Sequence, residues 1–257
     1  MGVVMVGSGN LATHLGYVIS RAGFLFDQIY SRTEEHAQML ADNLGAKKAI
    51  TDLDEIIRDA DFYIIAVKDD AIAEVATALK KVSGVVLHTS GSTDISVLSG
   101  SQGGYGVLYP LQTFSKEVPV DFTKIPLIME FSEANTKTKV MNLVVKISPL
   151  IYEYNSLQRR CLHLGAVLSC NFTNYLYTIA HQFLGEKEVD FNLLRPLIAE
   201  TAQKVQEHNP ADVQTGPAMR ADENIVKEHL ELLEVHPDWK VLYRLLSQGI
   251  TNSRHVF

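Results

Sequence analysis

Val3-Val4-Met5-Val6-Gly7-Ser8-Gly9-Asn10-Leu11-Ala12 lies two residues into the chain, and its reading decides the fold. Four consecutive apolar residues suit a strand buried on both faces. Gly-x-Gly-x-x-Ala follows at once and runs into a helical pattern over residues 11–22. In such a strand–turn–helix the first glycine permits the tight turn, and the second admits close approach to the backbone. Ala12 keeps the helix near the sheet, and the free amides at the helix start attract phosphate. In this context the pattern specifies a dinucleotide site at Gly7, Ser8, Gly9, Asn10 and Leu11. The alternative is an ordinary glycine-rich βα turn.

Outward from this turn, β-rich runs alternate with helical patterns. Strands are expected at residues 24–30, 46–50, 62–67 and 85–88, with further strand signals at 106–109, 125–130 and 150–154. Helices are expected at 33–44, 52–58, 71–81 and 133–146. Continuous apolar strands separated by helices imply an α/β domain, a doubly wound parallel sheet covered on both faces. After Tyr154 the strand signals stop. Residues 156–184, 191–208, 222–235 and 237–251 read as helices, the second with Pro196 near its start. The chain is therefore expected to form a Rossmann domain over 1–154 and an all-α domain over 155–257.

The end of the second strand selects the cofactor. An NAD site carries Asp or Glu there for the ribose 2′-hydroxyl. This chain has Ser31-Arg32-Thr33, and a guanidinium between two hydroxyls suits a 2′-phosphate. NADP is the expected cofactor; the bland alternative makes Arg32 a solvated charge and Thr33 a helix N-cap. Ala66-Val67-Lys68 and His88-Thr89-Ser90-Gly91-Ser92 follow later strands, where such a sheet presents ligands. Ala66, Val67, Thr89, Ser90 and Gly91 allow a ribose to approach, and Lys68 either bonds it or reaches solvent. His88 ends a buried strand, so a structural hydrogen bond is expected of it.

Composition narrows the field. Charged residues are 21%, and 23 Lys plus Arg against 30 Asp plus Glu give a net charge of −7. That balance argues against a generic nucleic-acid binder. No apolar run approaches the roughly 18–20 residues needed to cross a bilayer. The start lacks a positive n-region, so a cytoplasmic protein is expected. Cys161 and Cys170 fall on opposite faces of a helix and are expected to serve packing. His163 and His181 share a helix face with Cys170 but would lie ~27 Å apart, too far for one metal ion.

The glycine turn, Ser31-Arg32-Thr33 and Ala66-Val67-Lys68, followed by a helical domain, resemble pyrroline-5-carboxylate reductases and the 6-phosphogluconate and β-hydroxyacid dehydrogenases. A closer resemblance is to a bacterial family that joins a Rossmann-like domain to domain of unknown function 2520 and is assigned as NADP oxidoreductases. The matching segments include Leu87-His88-Thr89-Ser90-Gly91-Ser92, Tyr109-Pro110-Leu111-Gln112-Thr113-Phe114, His163-Leu164-Gly165-Ala166-Val167, Ser169-Cys170-Asn171-Phe172 and the run from Thr215 to Asp222. The resemblance implies a second domain of the 6-phosphogluconate dehydrogenase C-terminal type and leaves the substrate open. It also implies that Tyr109 stands where histidine is frequent, which weighs against an essential acid there.

The related dehydrogenases use a lysine and an asparagine early in the first helix after the Rossmann domain; here the lysine is replaced by arginines and a histidine. His163 is the expected proton donor, Asn171 would polarise the reacting group, and Arg220 would hold a substrate carboxylate. The structural alternatives are a packed helix histidine, an asparagine satisfying backbone groups, and an arginine paired with an acidic neighbour. Asp222 is placed to cap the third helix of this domain. The expected activity is an NADP-dependent oxidoreductase acting on a small-molecule acid bearing a carbonyl or imine. A homodimer through the helical domain is expected, because a helix over 156–184 would expose a large apolar face. The alternative class is a non-catalytic NADP-binding redox sensor, favoured by the missing lysine. A methyltransferase is a third option, disfavoured by Arg32 where an acid is wanted.

Overall fold

A computed structural model describes residues 1–253. The chain divides into two compact units, Met1–Ser169 and a second beginning at Cys170.

In the first unit, β1 (Gly2–Val6), β2 (Leu25–Tyr30), β3 (Lys48–Ile50), β4 (Phe62–Ile65), β5 (Val85–His88), β6 (Tyr105–Pro110), β7 (Leu127–Phe131) and β8 (Ile151–Glu153) form one sheet. Their order is β3-β2-β1-β4-β5-β6-β7-β8. Side-chain alternation divides the core between the two faces. Val3 and Met5 of β1 join Phe62 and Ile64 of β4 beneath α1 (Asn10–Arg21), α2 (Glu34–Leu44) and α4 (Ala134–Val144). Val4, Val6, Tyr63 and Ile65 face the other way, against α3 (Ile72–Ala78). Every one of these strand residues is fully buried or nearly so, which is why their runs carry no polar alternation.

The sheet departs from all-parallel at one place. β7 runs antiparallel to β6, and β8 is parallel to β7. Between β6 and β7 the chain forms only a short 3₁₀ turn at Phe122–Lys124, with no crossover helix. An antiparallel return requires none. The helix expected at 52–58 is likewise reduced to a 3₁₀ turn, Leu53–Glu55. The buried side chain of Gln28 explains this. It donates to the Glu55 carbonyl at 2.9 Å and accepts from the Ile57 amide at 2.8 Å, engaging backbone groups a helix would have used.

α5 (Ser156–Ala166) begins with a capping box: Asn155 accepts from the Gln158 amide, and Gln158 accepts from the Asn155 amide. The division between units falls after this helix, fifteen residues beyond the 154/155 boundary expected from pattern. Arg159 and Ser156 are buried and bond to Glu130 on β7, which fastens α5 to the sheet. The single helix expected over 156–184 is interrupted by a π turn at Val167–Asn171 before α6 (Phe172–Glu186).

The second unit continues with α7 (Arg195–Glu207), α8 (Glu223–Leu232) and α9 (Pro237–Ser253). Pro196 lies in the first turn of α7, and the Asp222 carboxylate accepts from the Ile225 amide to cap α8. Among its described residues only Ala218 is buried. Cys161 and Cys170 are exposed, against the expectation that they serve packing.

Candidate functional site

The turn between β1 and α1 is held by sterics. Gly7 has φ of +128°, and a Cβ there would fall 2.3 Å from the Ala66 carbonyl oxygen, so only glycine fits. At Gly9 an added Cβ would meet nothing within 4 Å, because the turn faces open space beyond the strand ends. Gly9 occupies the N-cap of α1 with no side-chain cap, which leaves the first amides of the helix pointing into that space.

A groove of about 490 Å³ opens there, across the carboxyl ends of β1, β2 and β4. Gly7, Ser8, Gly9 and Asn10 line it, as do Ser31, Arg32 and Thr33 on one side and Ala66, Val67 and Lys68 on the other. Leu11 does not; it packs against the core beneath α1. The Ser8 hydroxyl donates to Ser31 Oγ at 2.8 Å, joining the glycine turn to the end of β2. Arg32 is exposed and has no ion pair or hydrogen bond among the described residues. Thr33 stands at the N-cap of α2, yet its side chain makes no capping bond. His36 and Lys116, which the sequence reading did not single out, also line the groove.

Thr89, Ser90 and Gly91 lie beyond the groove wall, in the loop after β5. Thr89 Oγ1 donates to the Ile65 carbonyl at 3.1 Å. Ser90 Oγ accepts from the amides of Ser92 and Thr93, and the Ser92 hydroxyl donates to the Asp69 carboxylate. His88 accepts the Ser90 amide on Nδ1 at 3.2 Å, and burial pushes its pKa down to about 4, with Arg159 adding to the effect. It makes the structural hydrogen bond its place in a buried strand suggested, while its buried Nε2 has no partner among the described residues.

A second polar group lies at the same strand ends. Tyr109, near the end of β6, places its hydroxyl 3.1 Å from His163 Nδ1 on α5, with the two rings edge to face. Gly91 closes this pair from the third side: a Cβ there would come within 2.8 Å of both rings. Burial, followed by the Asp69 charge, raises the Tyr109 pKa, so the phenol keeps its proton at neutral pH. The hydroxyl and Nδ1 share a single hydrogen bond whose direction follows the tautomer of the histidine, and Nε2 is the ring nitrogen that this bond leaves unused. Tyr109 was discounted by family resemblance; its position at a strand's carboxyl end was the signal that marked it. Asn171, in the π turn, and Arg220, in the turn before α8, both belong to the second unit and are exposed.

No helix among the described residues is long and apolar enough to cross a membrane. Residues 2–88 match the family model described as NADP oxidoreductase, coenzyme F420-dependent, and residues 125–250 match DUF2520. No curated protein matches the chain. Among solved structures, BF3122 from Bacteroides fragilis, assigned as an NADP oxidoreductase, is 41% identical over 98% of both chains, with a TM-score of 0.91. The imine reductase from Myxococcus stipitatus in complex with NADP+ is 13% identical, with a TM-score of 0.65 over 98% of this chain and 92% of that one. The reductive aminase from Aspergillus terreus, in complex with NADPH and ethyl-5-oxohexanoate, is 16% identical, with a TM-score of 0.68 over 98% and 97%. At those identities the likeness is one of fold.

Proposed function

Since this chain belongs to the NADP oxidoreductases that join a coenzyme F420-dependent-type domain to a DUF2520 domain, we propose that it reduces a small acid bearing a carbonyl or imine, with His163 as proton donor. The open face of Gly9 and the unpaired Arg32 at the end of β2 suit a dinucleotide bearing a 2′-phosphate. Gly7, Ser8, Gly9 and Asn10 would hold its pyrophosphate, and Ser31, Arg32 and Thr33 its adenosine ribose. When bound, the reduced dinucleotide supplies a hydride.

The observation that carries the reading is the Tyr109–His163 hydrogen bond at the carboxyl ends of the strands, on the edge of the sheet where the groove opens. With Nδ1 engaged by Tyr109, Nε2 is the ring nitrogen left to face a substrate. A proton delivered there neutralises charge developing on a carbonyl oxygen or an imine nitrogen. Loss of NADPH absorbance with a panel of oxo and imino acids tests this in the parent and in His163→Ala. The variant should lose about 100-fold or more in kcat while its NADPH dissociation constant stays parental. Parental turnover by His163→Ala would remove His163 from the reaction.

We also propose that the chain forms a homodimer through its second unit. Leu197 in α7 and Leu245 in α9 are each 61% exposed, Leu193 in the turn before α7 is 72% and Val235 in the turn between α8 and α9 is 73%, and α7, α8 and α9 contain no buried residue. Helices this apolar and this uncovered need a partner surface, and a second copy supplies one of matching chemistry.

A further inference from the structure

Beyond Pro110 the chain runs over the first turns of α1 and is pinned there. The Asn10 side-chain amide donates to the Phe114 carbonyl at 2.9 Å, and His14 Nε2 lies 2.9 Å from the Ser115 carbonyl. The His14 ring packs on Phe114, with centroids 5.6 Å apart, and Phe114 stacks on Phe122 at 6.0 Å. The main chain is thus tied to the glycine turn's own helix immediately before Lys116.

Lys116 lines the dinucleotide groove with Ser8, Arg32 and His36. Ser8, His36 and Lys116 recur in a smaller adjoining cleft beside α1 and α2, which locates Lys116 toward the β2 end of the groove. Lys116, Arg32 and His36 have no ion pair or hydrogen bond among the described residues. The carboxylate of Glu74 also faces the groove, and it pairs with none of them. Arg32, His36 and Lys116, brought from separate stretches of sequence, line one groove at the end where the βαβ rule puts the adenosine ribose. Glu74 is the one carboxylate among the groove's lining residues, so the basic groups there outnumber the acidic ones and the groove favours an anion.

We propose that Lys116 is the second cation of the 2′-phosphate subsite, carried to Arg32 by the strap after β6, and therefore a determinant of selectivity for NADP(H) over NAD(H). The inference rests on the NADP reading of Arg32. A dianionic phosphate between a guanidinium and an ammonium is held by bidentate contacts on one side and a mobile point charge on the other. Being exposed, the lysine contact is modest and screened by salt.

Equilibrium binding of NADPH, NADH, adenosine 2′,5′-bisphosphate and 5′-AMP tests this in the parent, Lys116→Ala, Lys116→Arg and Arg32→Ala. Lys116→Ala should weaken NADPH and the bisphosphate about three- to tenfold, less at high salt, and leave NADH and 5′-AMP unchanged. Lys116→Arg should restore most of the loss. Unchanged NADPH affinity in Lys116→Ala overturns the proposal, as does an equal loss for NADH, which would place the lysine on the pyrophosphate. If Arg32→Ala loses selectivity while Lys116→Ala does not, only the role of Lys116 fails. A parent that binds NADPH and NADH equally removes the 2′-phosphate subsite altogether.

Discussion

Arg159 on α5 and Glu130 on β7 form an ion pair in which the guanidinium is wholly buried and the carboxylate is 16% exposed. The guanidinium also donates to the Thr93 carbonyl and to Ser156 Oγ, while the Ser156 amide and hydroxyl donate to Glu130 at 3.0 and 2.8 Å. One buried charge therefore ties together β7, the loop after β5 and the first turn of the helix that carries His163.

Removing Arg159 leaves Glu130 partly buried and unpaired. Arg159→Met should cost about 3–5 kcal/mol in urea denaturation. Glu130→Gln keeps an oxygen for Ser156 but discards the charge, so the double variant should be more stable than Arg159→Met alone. A double variant no more stable than the single one would show that the penalty lies elsewhere.

Arg32→Ala tests the choice of cofactor. Losing a charge-assisted contact should weaken NADPH by about 1.5–3 kcal/mol and NADH little. Isothermal titration of both dinucleotides reads the difference directly.

The two glycines of the turn should behave differently. Gly7→Ala meets both a positive φ and the Ala66 carbonyl, so it should lower the melting temperature and abolish binding of both dinucleotides. Gly9→Ala meets no protein atom and should melt with the parent. It should still bind both dinucleotides more weakly, since its methyl occupies the space a pyrophosphate approaches. Unimpaired binding by Gly9→Ala would refute the placement of the pyrophosphate there.

His88 makes stability depend on acidity. The unfolded chain takes up a proton near pH 6.5, whereas the buried ring in the folded protein refuses it until about pH 4. Stability should fall as pH drops through that window, by about 3 kcal/mol at its foot. Urea midpoints between pH 7 and pH 4 should show this slope, and His88→Gln should flatten it.

Dimerisation through the second unit predicts that Leu197→Asp shifts the mass seen by light scattering from dimer to monomer. A parent that is monomeric at micromolar concentration would refute it.

Much of this was legible in the sequence where local chemistry decides structure. The run Val3-Val4-Met5-Val6 with Gly7 announced β1 and its turn, and Asp222 announced the start of α8. Tertiary bonds decided the remainder. The backbone bonds of Gln28 to Glu55 and Ile57 cannot be read from residues 52–58, whose own pattern is helical. A helical wheel with a uniform step of about 100° cannot anticipate the π turn at Val167–Asn171, across which that step does not hold. Among candidate site residues, Arg32 was found because its position after β2 has a meaning within one βαβ unit. Lys116 and Tyr109 reach their places from β6 and the strap beyond it, and no local spacing records that approach.

The strand order has a consequence for how the chain acquires its structure. β1 lies third from one edge of the sheet; β2 and β3 extend it to that side, and β4 returns to the other flank of β1. From β5 to β8, every new strand pairs with the one made just before it. A ribosome delivering this chain from its amino terminus therefore presents each late strand to an edge already formed, with little loop to close before pairing. The glycine turn and Arg32 emerge earlier, and the strap bearing Lys116 follows only once six strands are available. Nascent chains halted before and after residue 116 should accordingly differ in their grip on the 2′-phosphate.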